Sequence, residues 1–261
     1  MTGFSRAWLA LREPFDASSR DAELGQVFAA ALPGTPLIVD LGAGAGANTR
    51  FLARIVGSSA RFRLVDNDPD LLAVAITVLG TATGIERMQT DLARNLETAL
   101  AGADAVSAAA LMDLVSAPWF DGLAERAARR RLPLLFTLSV DGRCIFLPAD
   151  ESDQVVLAAF ARDQARNKGF GPALGPLAPA YMHQRLIDLG AEVRMAESNW
   201  RIDAQAPEML HALIDGIAEA ASLDAAQDAP DIATWRERRR GQIGGGKLSL
   251  MVGHQDLLAI W

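Results

Sequence analysis

Apolar residues recur three and four positions apart through residues 4–32, with Leu24, Val27, Phe28 and Leu32 on one side, and that spacing predicts helix. Pro14 predicts a division into two pieces, because its ring nitrogen cannot donate the next helical hydrogen bond. Pro33-Gly34-Thr35-Pro36 then stops the segment. Leu37-Ile38-Val39-Asp40-Leu41 reads differently. Its near-continuous apolar run predicts a strand buried on both faces, as in a parallel sheet. A glycine-rich turn follows from Gly42 to Gly46, then helix over 48–56. A second strand over 61–65 is closed by Asp66-Asn67-Asp68-Pro69, and helix resumes over 70–79. Strand, glycine turn, helix and strand make one βαβ unit of a doubly wound sheet.

The alternation continues, with short strands predicted over 85–90 and 104–110, helix over 120–130 and a strong strand over 132–140. Asp141-Gly142 predicts a two-residue hairpin turn, with Cys144 to Leu147 folding back. Helix is predicted over 151–167, 178–189, 206–226 and 230–240, a strand over 191–196, and a final strand pair within 247–260. The stretch from Lys168 to Pro176 holds three glycines and two prolines and excludes regular structure. The fold class is α/β. Residues 1–34 form an N-terminal helical segment and residues 35–261 one domain, with insertions at about 142–177 and 201–246.

Composition narrows the chemistry. The chain is half hydrophobic and 22% charged, which supports a packed core. Its formal net charge of −7 is a poor match for polyphosphate, so no nucleic-acid partner is expected. The basic runs Arg129-Arg130-Arg131 and Arg236 to Arg240 end predicted helices, where cations are favoured anyway. The single cysteine, Cys144, excludes an internal disulfide. The three histidines form no His-x-x-x-His pair, and no metal is expected. No apolar run reaches the ~18 residues of a membrane span. Met1 to Arg12 lacks the pattern of a signal peptide, so the expected location is the cytoplasm.

The chemistry concentrates in Asp40-Leu-Gly42-Ala43-Gly44-Ala-Gly46. A strand ending in such a loop presents backbone N–H groups and a helix N-terminus to a ligand. Gly42-x-Gly44-x-x-Ala47 also fits a dinucleotide fingerprint. Residues 39–46 and Leu64-Val-Asp66-Asn67-Asp-Pro-Asp-Leu-Leu72, however, resemble the class I S-adenosylmethionine (SAM)-dependent methyltransferases. The resemblance implies a seven-stranded, mostly parallel sheet with an antiparallel last strand and helices on both faces. It implies SAM as cofactor, S-adenosylhomocysteine (SAH) as product, and cofactor contacts from Asp40, Gly42, Ala43, Gly44, Gly46, Asp66, Asn67, Asp91 and Leu92. The physics agrees: SAM carries an amine and a sulfonium and no pyrophosphate, so carboxylates beside the loop are apt, and Asp66 can accept from both ribose hydroxyls. Asn48 and Thr49 read as ordinary first-turn residues.

The acceptor side is read more thinly. The resemblance puts the substrate over the ends of the fourth and fifth strands, where Asp113 stands as the candidate to orient or deprotonate an acceptor. His254 is the other candidate catalytic group. Lys168, Phe170 and Trp200 are candidates for substrate contact, the first two on a lid-like loop. There is no Asn-Pro-Pro-Tyr, Asp-Pro-Pro-Tyr or Pro-Cys motif, which disfavours nucleobase and glutamine-amide acceptors. The expected activity is therefore direct in-line methyl transfer to an O or N atom of a small molecule. The alternatives are a SAM- or SAH-binding module without turnover, and an RNA or tRNA methyltransferase. The insertions also leave room for a homodimer contact.

Overall fold

The computed structural model describes residues 5–79, 84–225 and 229–261. Residues 4 and 226, the first and last residues of two predicted helices, lie outside the described residues. Among the described residues eight strands form one sheet: β1 (Leu37–Leu41), β2 (Arg61–Asp66), β3 (Ile85–Gln89), β4 (Ala105–Ala109), β5 (Leu134–Leu147), β6 (Glu192–Glu197), β7 (Trp200–Ile202) and β8 (Ser249–Ile260). Their order is β3-β2-β1-β4-β5-β8-β6, with β7 added on β8. The first five strands are parallel, and β8 runs antiparallel to β5, β6 and β7. The expected doubly wound sheet with an antiparallel last strand is present. Strand order reverses between β1 and β4, which opens a crevice at their carboxyl ends.

Two apolar layers cover the parallel strands. α2 (Ala22–Ala30), α3 (Ala47–Val56) and α4 (Pro69–Leu79) lie on one face, packing Phe28, Leu52 and Leu72 against Ile38 and Leu64. α5 (Leu96–Ala99), α6 (Ala117–Arg130) and α8 (Ala178–Asp188) cover the other, with Phe120, Leu123 and Met182 against Phe136 and Val106. Each such side chain contributes about 1.5–3 kcal/mol when fully buried. A further cluster joins the far ends of β5 and β8 to β7, α7 (Asp153–Gln164), α9 (Pro207–Asp224) and α10 (Ala229–Gly244). At its centre the buried Arg239 pairs with Asp153, with its guanidinium 4.7 Å from the Phe146 ring centroid.

Three local expectations are corrected. α1 (Arg6–Ser19) runs through Pro14, and the break falls at Arg20, whose backbone is extended. Pro14 and Ala10 are exposed, so water can hydrate the carbonyl that proline leaves without a donor. Asp21 then starts α2, accepting from Leu24 N at 2.7 Å. Asp141-Gly142 is not a hairpin turn. β5 continues through it because β8 pairs with both halves, Ser139 opposite Gln255 and Cys144 opposite Val252, with bulges between them. The last segment is one long strand rather than a pair, flanked by β5 on one side and by β6 and β7 on the other.

Candidate active site at the carboxyl ends of the central strands

The loop after β1 is built on left-handed backbone, with φ of +65° at Gly42 and +50° at Gly44. A Cβ at Gly42 would stand 3.2 Å from Leu111 Cδ1, a tight contact that adds to the left-handed backbone in favouring glycine here. Ala43 N donates to Val65 O at 3.0 Å and ties the loop to β2. Asp66, at the end of β2, completes the tie: its Oδ2 accepts from Gly44 N at 2.8 Å and its Oδ1 from Asp68 N at 2.9 Å. Burial pushes its pKa up, and those N–H donors work against the rise. Each oxygen keeps a further lone pair for a ligand. Asn67 beside it is exposed.

Asp40 sits beneath this loop, fully buried. Asn48 Nδ2 and Thr49 Oγ1 donate to its two oxygens at 2.8 and 2.7 Å. Asn48 Nδ2 also reaches Ser107 Oγ at 2.9 Å, which donates to Leu135 O at 2.9 Å. One polar chain thus links β1, α3, β4 and β5. Asn48 and Thr49 are therefore more than first-turn residues: α3 turns them back into the sheet, where they hold the Asp40 carboxylate. Burial raises the Asp40 pKa, and both donors oppose the rise.

The opposite flank carries Asp91 and Leu92. Asp91 is exposed, accepts from Ala93 N at 2.9 Å and lies 3.6 Å from Arg94. Leu92 is buried and its carbonyl accepts from Trp119 Nε1 at 2.8 Å. Phe170 packs edge-on against Trp119, with 5.2 Å between ring centroids, so the 168–176 loop borders this flank. Lys168 Nζ lies 2.8 Å from Asp163 Oδ2, and Arg162 pairs with Asp224 at 2.6 Å. The basic groups of the insertion are bound to carboxylates of this chain.

The third flank is formed by α1 with the ends of β4, β5, β7 and β8. Two non-glycine residues there have left-handed backbone, Ala110 (φ +48°) after β4 and Leu138 (φ +58°) in β5. Such strain persists only where surrounding contacts enforce it. Ala110 N donates to Thr137 O at 2.9 Å, and Leu138 N donates to Asp256 Oδ1 at 2.8 Å. Asp256 Oδ2 accepts from Asp21 N at 2.8 Å, so one buried carboxylate joins the start of α2 to the β5 bulge. Arg12 of α1 bonds Asp16 through Nε and Nη2 at 3.0 and 3.2 Å, with its guanidinium carbon 5.0 Å from the Trp200 ring centroid. Trp200 in turn lies 4.7 Å from the His254 ring.

His254 Nδ1 stands 3.1 Å from Val252 O. A carbonyl can only accept, so the proton is assigned to Nδ1 and Nε2 keeps a bare lone pair. Burial, aided by Arg12, lowers the His254 pKa to about 4, which makes it neutral and weakly basic. Asp113 follows β4 by one turn. Its Oδ1 is sealed from solvent without a hydrogen-bond partner, and burial pushes its pKa up to about 6. His254 and Trp200 thus stand beside Arg12, whereas the Asp113 carbonyl accepts from Gly175 N at 2.8 Å in the loop that carries Lys168 and Phe170. Sequence reasoning missed Arg12, Arg20 and Asp256. Their only signal was charge inside an amphipathic helix and a strand, and nothing along the chain says which charges turn inward. Among the described residues no metal-binding cluster is present and no helix is long and apolar enough to cross a membrane.

No family model matches the sequence, and no curated protein matches it. Solved structures do match over nearly the whole chain. A cyclopropane-fatty-acyl-phospholipid synthase-like protein from Lactobacillus casei is 18% identical with a TM-score of 0.59, covering 99% of this chain and 95% of that one. A cyclopropane synthase from Mycobacterium tuberculosis is 14% identical with a TM-score of 0.53, covering 98% and 94%. A phosphoethanolamine N-methyltransferase from Haemonchus contortus, solved with phosphomonomethylethanolamine and SAH, is 14% identical with a TM-score of 0.50, covering 99% and 58%. This chain has the Rossmann-like fold of the class I SAM-dependent methyltransferases.

Proposed function

We propose that this protein is a SAM-dependent methyltransferase acting on an O or N atom of a small molecule. The observation that carries the reading is the Asp66 carboxylate, fixed by the glycine-loop N–H of Gly44 and by Asp68 N at the strand-order reversal. A carboxylate held this way beside the glycine loop supports a double acceptor for ribose hydroxyls. The SAH-bound Haemonchus structure supports the same use of the fold. Asp40 shapes the loop from below, and in this reading Asp91 and Leu92 meet the adenine.

SAM, when bound, supplies a methyl group already activated by the sulfonium. The protein's part is to align the acceptor, exclude water and accommodate the charge that leaves sulfur. Alignment alone lowers such a barrier by roughly 7–11 kcal/mol in favourable cases. Arg12, Trp200 and the left-handed residues Ala110 and Leu138 border the acceptor side in this reading. Calorimetric titration with SAM, SAH and NAD tests the reading. SAM and SAH should bind at one site per chain and NAD should not. Binding of NAD alone would replace this reading with a dehydrogenase. SAH binding without turnover of any amine, phenol or carboxylate would leave a SAM-binding module.

A further inference from the structure

We propose, on the methyltransferase reading, that Arg20 is the guanidinium fork that receives a ligand carboxylate in the crevice. Arg12, Asp16 and Arg20 follow one another at four-residue intervals along α1 and its C-cap, and all three are buried. That spacing puts them on one face of the helix. Asp16 is committed to Arg12: its Oδ2 accepts from Nε at 3.0 Å and its Oδ1 from Nη2 at 3.2 Å. The inward stripe of α1 therefore holds two cations and one carboxylate, and Arg20 is the cation without a partner.

The Arg20 side chain makes one hydrogen bond, from Nε to Thr137 Oγ1 at 3.3 Å. Among the described residues no carboxylate bonds its guanidinium, and Nη1 and Nη2 have no hydrogen-bond partner. Neither is among the buried polar atoms sealed from solvent, as Trp200 Nε1 and Asp113 Oδ1 are, so the fork is open. Its other acidic neighbours are engaged elsewhere. Asp256 accepts from Asp21 N and Leu138 N, and Asp40 from Asn48 and Thr49. They reach Arg20 only through space, against a desolvation that lowers its pKa. Burying an unpaired cation disfavours the folded state, and a bonded anion relieves it. Arg12, close enough to act on Arg20, keeps Nη1 uncommitted as a further donor.

Position makes this fork part of the ligand crevice. Thr137 is the last β5 residue paired with β4, opposite Ala109 at the carboxyl end. The guanidinium carbon lies 5.0 Å from the ring centroid of Phe51, on the helix that leaves the glycine loop. α1 also covers that loop. Leu9 Cδ1 is 3.5 Å from the point a Gly44 Cβ would occupy, and Glu13 pairs at 2.6 Å with Arg50, whose Nη1 donates to Ala45 O at 2.7 Å. The donor set selects a carboxylate. Two coplanar Nη groups match its two oxygens, and an amide offers one oxygen with an N–H₂ that would face the cation. Asp40 and Asp256 nearby favour a single negative charge over the two of a phosphate. The amino-acid tail of SAM and a carboxylate on the acceptor carry the same chemistry, and the test separates them.

Calorimetry on the full chain at fixed ionic strength compares matched probes. Benzoate is set against benzamide and propanoate against propanamide, each with and without SAH, and SAH is set against its decarboxylated analogue. At least one carboxylate should bind about tenfold or more tightly than its matched probe. Arg20→Met should remove that preference. Arg20→Lys keeps the charge without the fork, guards against a folding failure of the first variant, and should cut the preference by about threefold or more. A preference confined to SAH assigns the fork to the cofactor tail, and a preference for benzoate or propanoate assigns it to the acceptor. No preference in any pair, or a preference that survives both substitutions, overturns the proposal, as does phenyl phosphate binding more tightly than benzoate. Failure of SAH and its analogue to bind is scored separately: it sinks the cofactor reading, while the small pairs measured without cofactor still decide on Arg20.

Discussion

Replacing Asp113 by asparagine should stabilise the protein. Burial, with no bonded cation, holds the Asp113 carboxyl at about 6 in the folded chain against 3.8 as a reference. Folding therefore favours its protonated form. Below about pH 4 the group is protonated in both states and imposes no penalty; the penalty grows between about pH 4 and 6 and is full above that. The gap of about two pH units, at about 1.4 kcal/mol each, amounts to roughly 3 kcal/mol at neutral pH. Asparagine keeps the shape without the charge, and so removes that penalty. For a chain of this size each kcal/mol moves the melting temperature by about 2–4 °C, so the variant should melt roughly 6–12 °C higher at pH 7.5. The assay is thermal unfolding followed by circular dichroism, wild type against variant, at pH 7.5 and near pH 4. The advantage should shrink towards zero at the acidic end. A variant that melts at or below wild type at pH 7.5, or one whose advantage is the same at both pH values, refutes the picture of Asp113 as an uncompensated buried carboxylate.

Other expectations follow from the same contacts. Asp66→Ala should weaken SAM binding by about tenfold or more in calorimetry, since a charge-assisted double acceptor is lost; wild-type affinity would remove Asp66 from the site. Gly44→Val puts a β-branched residue at φ +50° with Leu9 3.5 Å from its Cβ, and should abolish SAM binding, as titration of the purified variant would show. Asp256→Asn turns an amide N–H₂ toward one of two backbone donors, and should cost about 2–4 kcal/mol in chemical denaturation; a loss near zero would mean the Leu138 bulge needs no such clamp. Burial pushes the Cys144 thiol up to about 12, so it should resist alkylation at pH 8 until the protein is unfolded, which mass spectrometry of iodoacetamide-treated samples reads directly.

The cofactor half of the molecule was legible in the sequence because local rules govern it. A doubly buried strand needs an unbroken apolar run, the turn after it needs glycine where φ is positive, and Leu37–Gly46 shows both. The acceptor half was not, because its contacts are long-range. Arg12 meets Trp200, Asp21 meets Asp256, and Leu138 is strained by a side chain from the last strand. The misread hairpin at Asp141-Gly142 has the same cause: the dipeptide favours a turn, but pairing with β8 along both halves of β5 outweighs that preference. Asn48 and Thr49 read as ordinary first-turn residues, and only the docking of α3 on the sheet makes them ligands of Asp40.

The most direct measurement is a crystal structure of the protein grown with SAH. The ribose hydroxyls should lie within hydrogen-bond distance of Asp66, the amino-acid end against Gly42–Gly46, and the sulfur toward Asp113. SAH bound anywhere else, or a crevice that stays empty at saturating concentration, would contradict the assignment.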